Sequence, residues 1–173
     1  DNGLKVIVRE DHRAPVVVSQ LWYKVGSSYE TPGSTGLSHA LEHMMFKGSG
    51  KLGPGEASRI LRELGAEENA FTSDDYTAYY QVLASDRLGV ALELEADRLA
   101  SLKLPADEFA KEIEVIKEER RLRTDDRPSS LAYERFKAMA YPASGYSIPT
   151  IGWMADLERM HIDDLRAWHQ KWY

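Results

Sequence analysis

Two breaker-rich loops isolate one short stretch of the chain. Residues 30–36 hold Pro32, Gly33, Ser34 and Gly36, and residues 48–55 hold Gly48, Gly50, Gly53, Pro54 and Gly55. Between them, Leu37 to Phe46 runs without glycine or proline and reads as a helix. It carries His39-Ala40-Leu41-Glu42-His43. Positions i and i+4 share a helix face, about 6 Å apart along the axis. His39 and His43 can therefore close on one ion, and Glu42 flanks the same face without having to bind it.

The order H-x-x-E-H is the zincin pattern with its glutamate moved. Neutral imidazoles hold zinc well, and a hydrolytic site leaves one position open. A carboxylate within hydrogen-bond reach can take a proton from water and return it to a leaving amine, which is the work expected of Glu42. The chain has no cysteine, so disulfides, thiolate zinc sites and cysteine nucleophiles drop out together. Any metal must be held by imidazole and carboxylate. Two histidines need a third ligand, and the helix expected after Pro105 offers Glu108, Glu112, Glu114, Glu118 and Glu119. Glu112 and Glu119 lie seven residues apart, two turns along one face. Composition does not choose among the five.

The remaining pattern supplies a frame for that helix. Leu4 to Val8 alternates as a half-buried strand, and Val16 to Val25 is β-branched and aromatic enough for a second. Ala57 to Leu64 reads as a short amphipathic helix stopped by Gly65. Asn69 to Leu83 reads as strand, turning at Ser73-Asp74-Asp75. Helices are expected over Asp86 to Leu99, from Pro105 to about Arg123 with Phe109, Ile113 and Ile116 on one face, over Ser130 to Ala140, and over Asp163 to Trp172. Tyr141 to Gly152 reads as loop. The order predicts an α+β fold, a mainly antiparallel sheet with helices packed on it. His12, His161 and His169 read as solvated or packing residues. Trp22, Trp153, Trp168 and Trp172 read as core or interface, and the mixed charges of Glu118 to Arg123 as a solvated helix face.

Acidic residues outnumber basic ones by 28 to 22, a net charge of −6, which argues against nucleic acid as a partner. No apolar run approaches the roughly 20 residues of a membrane span.

These pieces together resemble the pitrilysin/insulinase family, which includes insulin-degrading enzyme and the mitochondrial processing peptidases. The matching segments are Asn2-Gly3-Leu4-Lys5-Val6, Gly36-Leu37-Ser38-His39-Ala40-Leu41-Glu42-His43-Met44, Asn69-Ala70-Phe71-Thr72-Ser73, Tyr76-Thr77, and Val115-Ile116-Lys117-Glu118-Glu119. The resemblance implies a pitrilysin-like fold and a zinc endopeptidase acting on peptides or unfolded segments. His39, His43 and Glu119 would be the Zn2+ ligands and Glu42 the base, with Glu112 supporting the site and Asn69 and Ala70 meeting substrate backbone. It also implies that residues 1–173 are an N-terminal zinc-binding domain, with its last strands and a homologous downstream half beyond Tyr173. That half, from the same or a partner chain, would close on the site like a clamshell. Without it, exposed apolar surface would favour a homodimer. Where the family often has paired glycines before the substrate strand, this chain has Ala66-Glu67-Glu68, which brings those glutamates toward the cleft. The alternative within the family is a non-catalytic subunit, a scaffold or partner of an active peptidase.

Overall fold

A computed structural model describes residues 3–173. One antiparallel sheet has the strand order β1-β3-β2, with β1 at Val16–Tyr23, β2 at Glu67–Thr72 and β3 at Thr77–Ala84. The α-helices are α1 (Leu37–Met44), α2 (Glu56–Glu63), α3 (Leu88–Ser101), α4 (Ala106–Arg120), α5 (Pro128–Ala140), α6 (Met154–Leu157) and α7 (Ile162–Trp172). The α+β expectation holds, with the hairpin turning at Ser73–Tyr76 where Ser73 N–H bonds the Tyr76 carbonyl.

Strand alternation sorts the two faces of the sheet. On β3, Thr77, Tyr79, Gln81 and Leu83 point inward and are buried. Helix α1 lies across that inner face and is buried at Leu37, Ser38, His39, Ala40, Leu41 and Met44. So many buried positions on eight residues exceed one amphipathic stripe. The helix needs them because it packs against α4, α7 and β2 together. Helix α4 supplies Phe109, Ile113 and Ile116 to the same core, and α7 supplies Leu165 and Trp168. Asp107 and Glu108 stand in the first turn of α4 and Lys117 and Arg120 in its last, the charge order its dipole favours.

Two glycines fix where α1 begins. Gly36, at φ +87°, and Gly152, at φ +86°, meet backbone to backbone, and a Cβ on Gly36 would lie 2.7 Å from the Ile151 carbonyl oxygen. Positive φ and the absence of room both demand glycine there.

The structure departs from the sequence reading in several places. Residues 4–8 lie outside the sheet, and Asn2 lies outside the described residues. Leu4, Val6, Ile7 and Val8 are 59%, 73%, 78% and 80% exposed over a groove beside β1. Alternation makes a strand only where a neighbouring ladder and a covered face reward it. Helix α4 ends at Arg120 and continues as a π-turn over Arg121–Asp125. Pro128 sits in the first turn of α5, where its missing N–H costs nothing, so that helix starts two residues before Ser130. The short α6 has no counterpart in the pattern. Trp168 enters the core, whereas Trp22 is 52% exposed on the outer face of the sheet beside Phe71 and Tyr76. Arg120, expected on a solvated face, is 4% exposed. Its guanidinium donates to both Glu134 oxygens at 2.8 and 2.9 Å and to the Gly152 carbonyl at 2.8 Å. It ties α4 to α5 and to the loop that meets Gly36.

Candidate metal centre and active site

The three expected ligands converge. His39 and His43 come from one face of α1, with ring centroids 4.6 Å apart. Glu119 comes from the last turn of α4, its Oε2 lying 3.8 Å from His39 Nε2 and 3.4 Å from His43 Nε2. One donor atom from each residue lies within 4.8 Å of the other two. Bonds of ~2.0–2.1 Å at tetrahedral angles set ligand atoms roughly 3.3–3.4 Å apart, so His43 Nε2 and Glu119 Oε2 stand at that spacing and His39 Nε2 lies somewhat farther out. Two imidazoles and one carboxylate, with one position left open, are also the donor set of a hydrolytic zinc site. The other four glutamates of α4 divide clearly. Glu108, Glu114 and Glu118 pair with Lys111, Lys117 and Arg121, each three residues further along the same chain segment, and Glu112 meets His43 and Lys47 instead.

The immediate surroundings differ between the two histidines. Glu112 Oε1 lies 2.8 Å from His43 Nδ1, and its Oε2 lies 2.5 Å from Lys47 Nζ. Among the described residues, the buried Nδ1 of His39 has no hydrogen-bond partner. Burial, then the neighbouring His43, push the His39 imidazole down to about 4, which keeps it in the neutral form a metal needs. Burial also pushes His43 down, but hydrogen bonds to Glu119 and Glu112 outweigh it and raise the imidazole above its ordinary value. The hydrogen bond with His43 is in turn the main reason that Glu119 lies below the usual carboxylate range. Arg123, brought round by the π-turn, holds the second oxygen of Glu119 at 2.8 Å, so one oxygen of that carboxylate is left for the ligand position.

Glu42 lines the same cleft as the histidines and Glu119 but is not one of the three converging donors. Thr72 Oγ1, on β2, donates to Glu42 Oε2. Burial raises the Glu42 carboxyl and the Thr72 hydrogen bond opposes that rise. A carboxyl moved toward neutrality both accepts and returns a proton more readily near pH 7.

These groups open into a cleft of about 840 Å³, walled on one side by Asn69, Ala70 and Phe71 and on the other by Arg123, Tyr133 and Lys137. Among the described residues strand β2 pairs only with β3, and Asn69 to Thr72 line the cleft along its other edge. Asn69 is exposed there, its Oδ1 accepting from the Ala70 N–H at 2.9 Å. Glu67 and Glu68 line a separate groove with Arg62 and Ser58, so they are not in the cleft that their place in the sequence suggested. His12 is exposed beside Glu10, and His161 and His169 lie on and near α7, away from the cluster.

Several residues that serve the site had no sequence signal or only a weak one. Glu30 is buried, and its two oxygens accept from the Gly36 and Ser38 N–H groups at 2.6 and 2.7 Å, which caps α1. Nothing in its spacing announces this. Thr72 lies within the segment Asn69 to Ser73, whose Thr is recurrent in the resemblance, and Lys47 stands four residues after His43.

The description Insulinase (Peptidase family M16) matches residues 5–152. A zinc protease named PqqE from Helicobacter pylori is 39% identical over 173 residues, which is 99% of this chain and 39% of that protein. The crystal structure of a protease from Helicobacter pylori superposes with a TM-score of 0.88 at 38% identity, covering 90% of this chain and 38% of that one. A peptidase M16 inactive domain from Pseudomonas fluorescens superposes with a TM-score of 0.83 at 20% identity, over 92% of this chain and 39% of its own, a likeness of fold. The chain spans about two fifths of the length of the curated relatives it matches.

Proposed function

The chain belongs to the insulinase family of peptidases, family M16, and from that membership we propose that it carries the zinc-binding, base-bearing site of a metalloendopeptidase that cuts peptides or unfolded segments. The observation that carries the reading is the convergence of His39, His43 and Glu119 beside a base, Glu42, that is held by another element. Zinc bound to those three residues supplies Lewis acidity toward water and toward the peptide carbonyl.

The chain's own residues do the rest. Glu42 accepts the proton of the attacking water and delivers it to the departing amine. Thr72 fixes one of its oxygens, which limits the carboxylate to one direction of approach. An extended peptide adds to the free edge of β2 at Asn69 and Ala70, so that main-chain hydrogen bonds give affinity and the opposite wall tunes side-chain preference. Glu112 orients His43 from behind. The cleft is open on its far side, and a homologous downstream half, from the same chain, a partner or a second copy, is the partner that would close it and exclude water.

A non-catalytic scaffold of the same fold has no use for this set, and the retention of His39, Glu42, His43 and Glu119 together favours the peptidase. The test is Glu42→Gln in the full-length protein. Cleavage of a fluorogenic peptide should fall about 10²–10⁴-fold while elemental analysis still finds zinc. Undiminished cleavage would remove Glu42 from the role of base.

A further inference from the structure

Resting on the zinc-site reading above, we propose that Lys47 is a positioning residue for the ligand His43: it fixes one oxygen of Glu112 so that the other is held for the His43 Nδ1–H.

The arrangement is a three-residue chain that ends on a ligand. Lys47 Nζ lies 2.5 Å from Glu112 Oε2, and Glu112 Oε1 lies 2.8 Å from His43 Nδ1. With only one oxygen held, a carboxylate can rotate about its last bond and present either oxygen or neither. Held at both, it presents Oε1 in one direction. That direction keeps Nδ1 as the donor to Glu112, so the nitrogen that gives up its proton to meet a metal is Nε2, which faces Glu119 Oε2. The ring plane, and with it the nitrogen that a metal would meet, is therefore set by Glu112.

Charge supports the same role. Glu42, Glu112 and Glu119 crowd around the two imidazoles, and the cations paired among them are Arg123 on Glu119 and Lys47 on Glu112. Lys47 keeps Glu112 ionised as an acceptor and engages the oxygen that could otherwise swing toward the metal position. The pair is also unlike the other lysine–glutamate pairs of α4. Lys47 and Glu112 are 27% and 11% exposed in their side chains, so neither partner stands in solvent, whereas Lys111–Glu108 is 69% and 20% exposed and Lys117–Glu114 15% and 65%, each with one partner in solvent. Exposed pairs contribute little, and a half-buried one fixes geometry. The main chain at Lys47 is fixed, because its backbone N–H closes a turn onto the Met44 carbonyl directly after α1.

His39 provides the contrast. Its Nδ1 has no such partner among the described residues, so His43 is the imidazole whose orientation this relay governs.

The experiment is a double-mutant cycle in zinc affinity, read by competition with a chromophoric chelator on the full-length protein. Lys47→Met should weaken zinc binding about 10-fold or more, the range found when an outer partner of a metal ligand is lost, and Glu112→Gln should do the same. In the double variant the losses should not multiply, because Lys47 acts only through Glu112. Lys47→Arg, which can still hold the oxygen, should recover most of the affinity. Should Lys47→Met fail to fold, Lys47→Gln takes its place in the cycle under the same criteria. Wild-type affinity in the Lys47 variant, or losses that multiply in the double variant, overturns the inference. A wild-type protein that takes up no zinc would instead overturn the reading on which it rests.

Discussion

Glu30 lies well outside the ligand set, yet the site depends on it. Its carboxyl caps the N-terminus of α1, the helix that carries both histidines and the base, and it is 5% exposed. Glu30→Ala strips the Gly36 and Ser38 N–H groups of their acceptors. Each buried donor left unpaired costs about 1–3 kcal/mol. Part of that is offset because no carboxyl then has to be buried, so the net loss should be about 2–4 kcal/mol at pH 5. The pH dependence is the sharper test. Burial raises the Glu30 carboxyl from 4.5 to about 7, against the backbone N–H bonds that favour its ionised form. A carboxyl whose folded value is raised contributes stability that is complete below 4.5 and lost as pH rises through 7. That difference corresponds to about 3 kcal/mol. The penalty of Glu30→Ala should therefore shrink toward zero between pH 5 and pH 8. Urea unfolding of wild type and variant across that range, each with chelator present, measures it directly. A penalty that stays constant or grows with pH would show that the helix N-terminus outweighs burial and that Glu30 works as an ionised cap.

Three further outcomes follow from the geometry. His39→Ala or His43→Ala should abolish zinc uptake, and Glu119→Ala should weaken it far more than Glu118→Ala, because Glu118 pairs outward with Arg121; equal zinc content in all four would remove the site. Zinc binding near neutral pH should release protons, since the metal-free His43 imidazole lies above its ordinary value and must be neutral to bind; affinity then rises with pH through that range, and calorimetry in buffers of different ionisation enthalpy counts the protons. Arg120→Met should cost about 3–5 kcal/mol by leaving Glu134 buried without its partner, and Arg120→Met/Glu134→Leu should recover much of it; no loss in the single variant would show that the pair carries no weight.

The ligand face was legible because its chemistry is local. His39, Glu42 and His43 lie within five residues of one helix, and helical spacing alone puts them together. Glu112 and Glu119 were legible as a seven-residue pair on one face, but their choice over Glu108, Glu114 and Glu118 needed the family spacing, since all five are equally acidic. What decides the matter in space is which side of α4 meets α1, and Phe109, Ile113 and Ile116 mark that side only approximately. Arg120 was misread for the same reason. A guanidinium on a charged run reads as solvated until α5 brings Glu134 across from fourteen residues away. Residues 4–8 were misread because alternation records what a strand could bury, and burial depends on a neighbour that no local pattern names.

Seen from the ligands outward, the site is built to exist before it is filled. Helix α1 is fixed at its start by Glu30 and by the contact of Gly36 with Gly152, and at its end by the turn that places Lys47 on Glu112. Helix α4 is held to it by Phe109, Ile113 and Ile116, and Arg120 anchors the far end of α4 to the loop containing Gly152. None of these contacts uses a metal. The cost of ordering these three side chains is therefore largely met by packing that the fold needs anyway, and a metal would have only to draw His39 in and take a proton's place on His43. The wall that carries Asn69 and Ala70 is tied through Thr72 to Glu42, so the edge that would receive a peptide and the carboxylate that would activate the water are held to one another. A peptide displaced along β2 would then carry its scissile bond away from Glu42, so cleavage position would follow its register on that strand, which side-chain contacts with the opposite wall select.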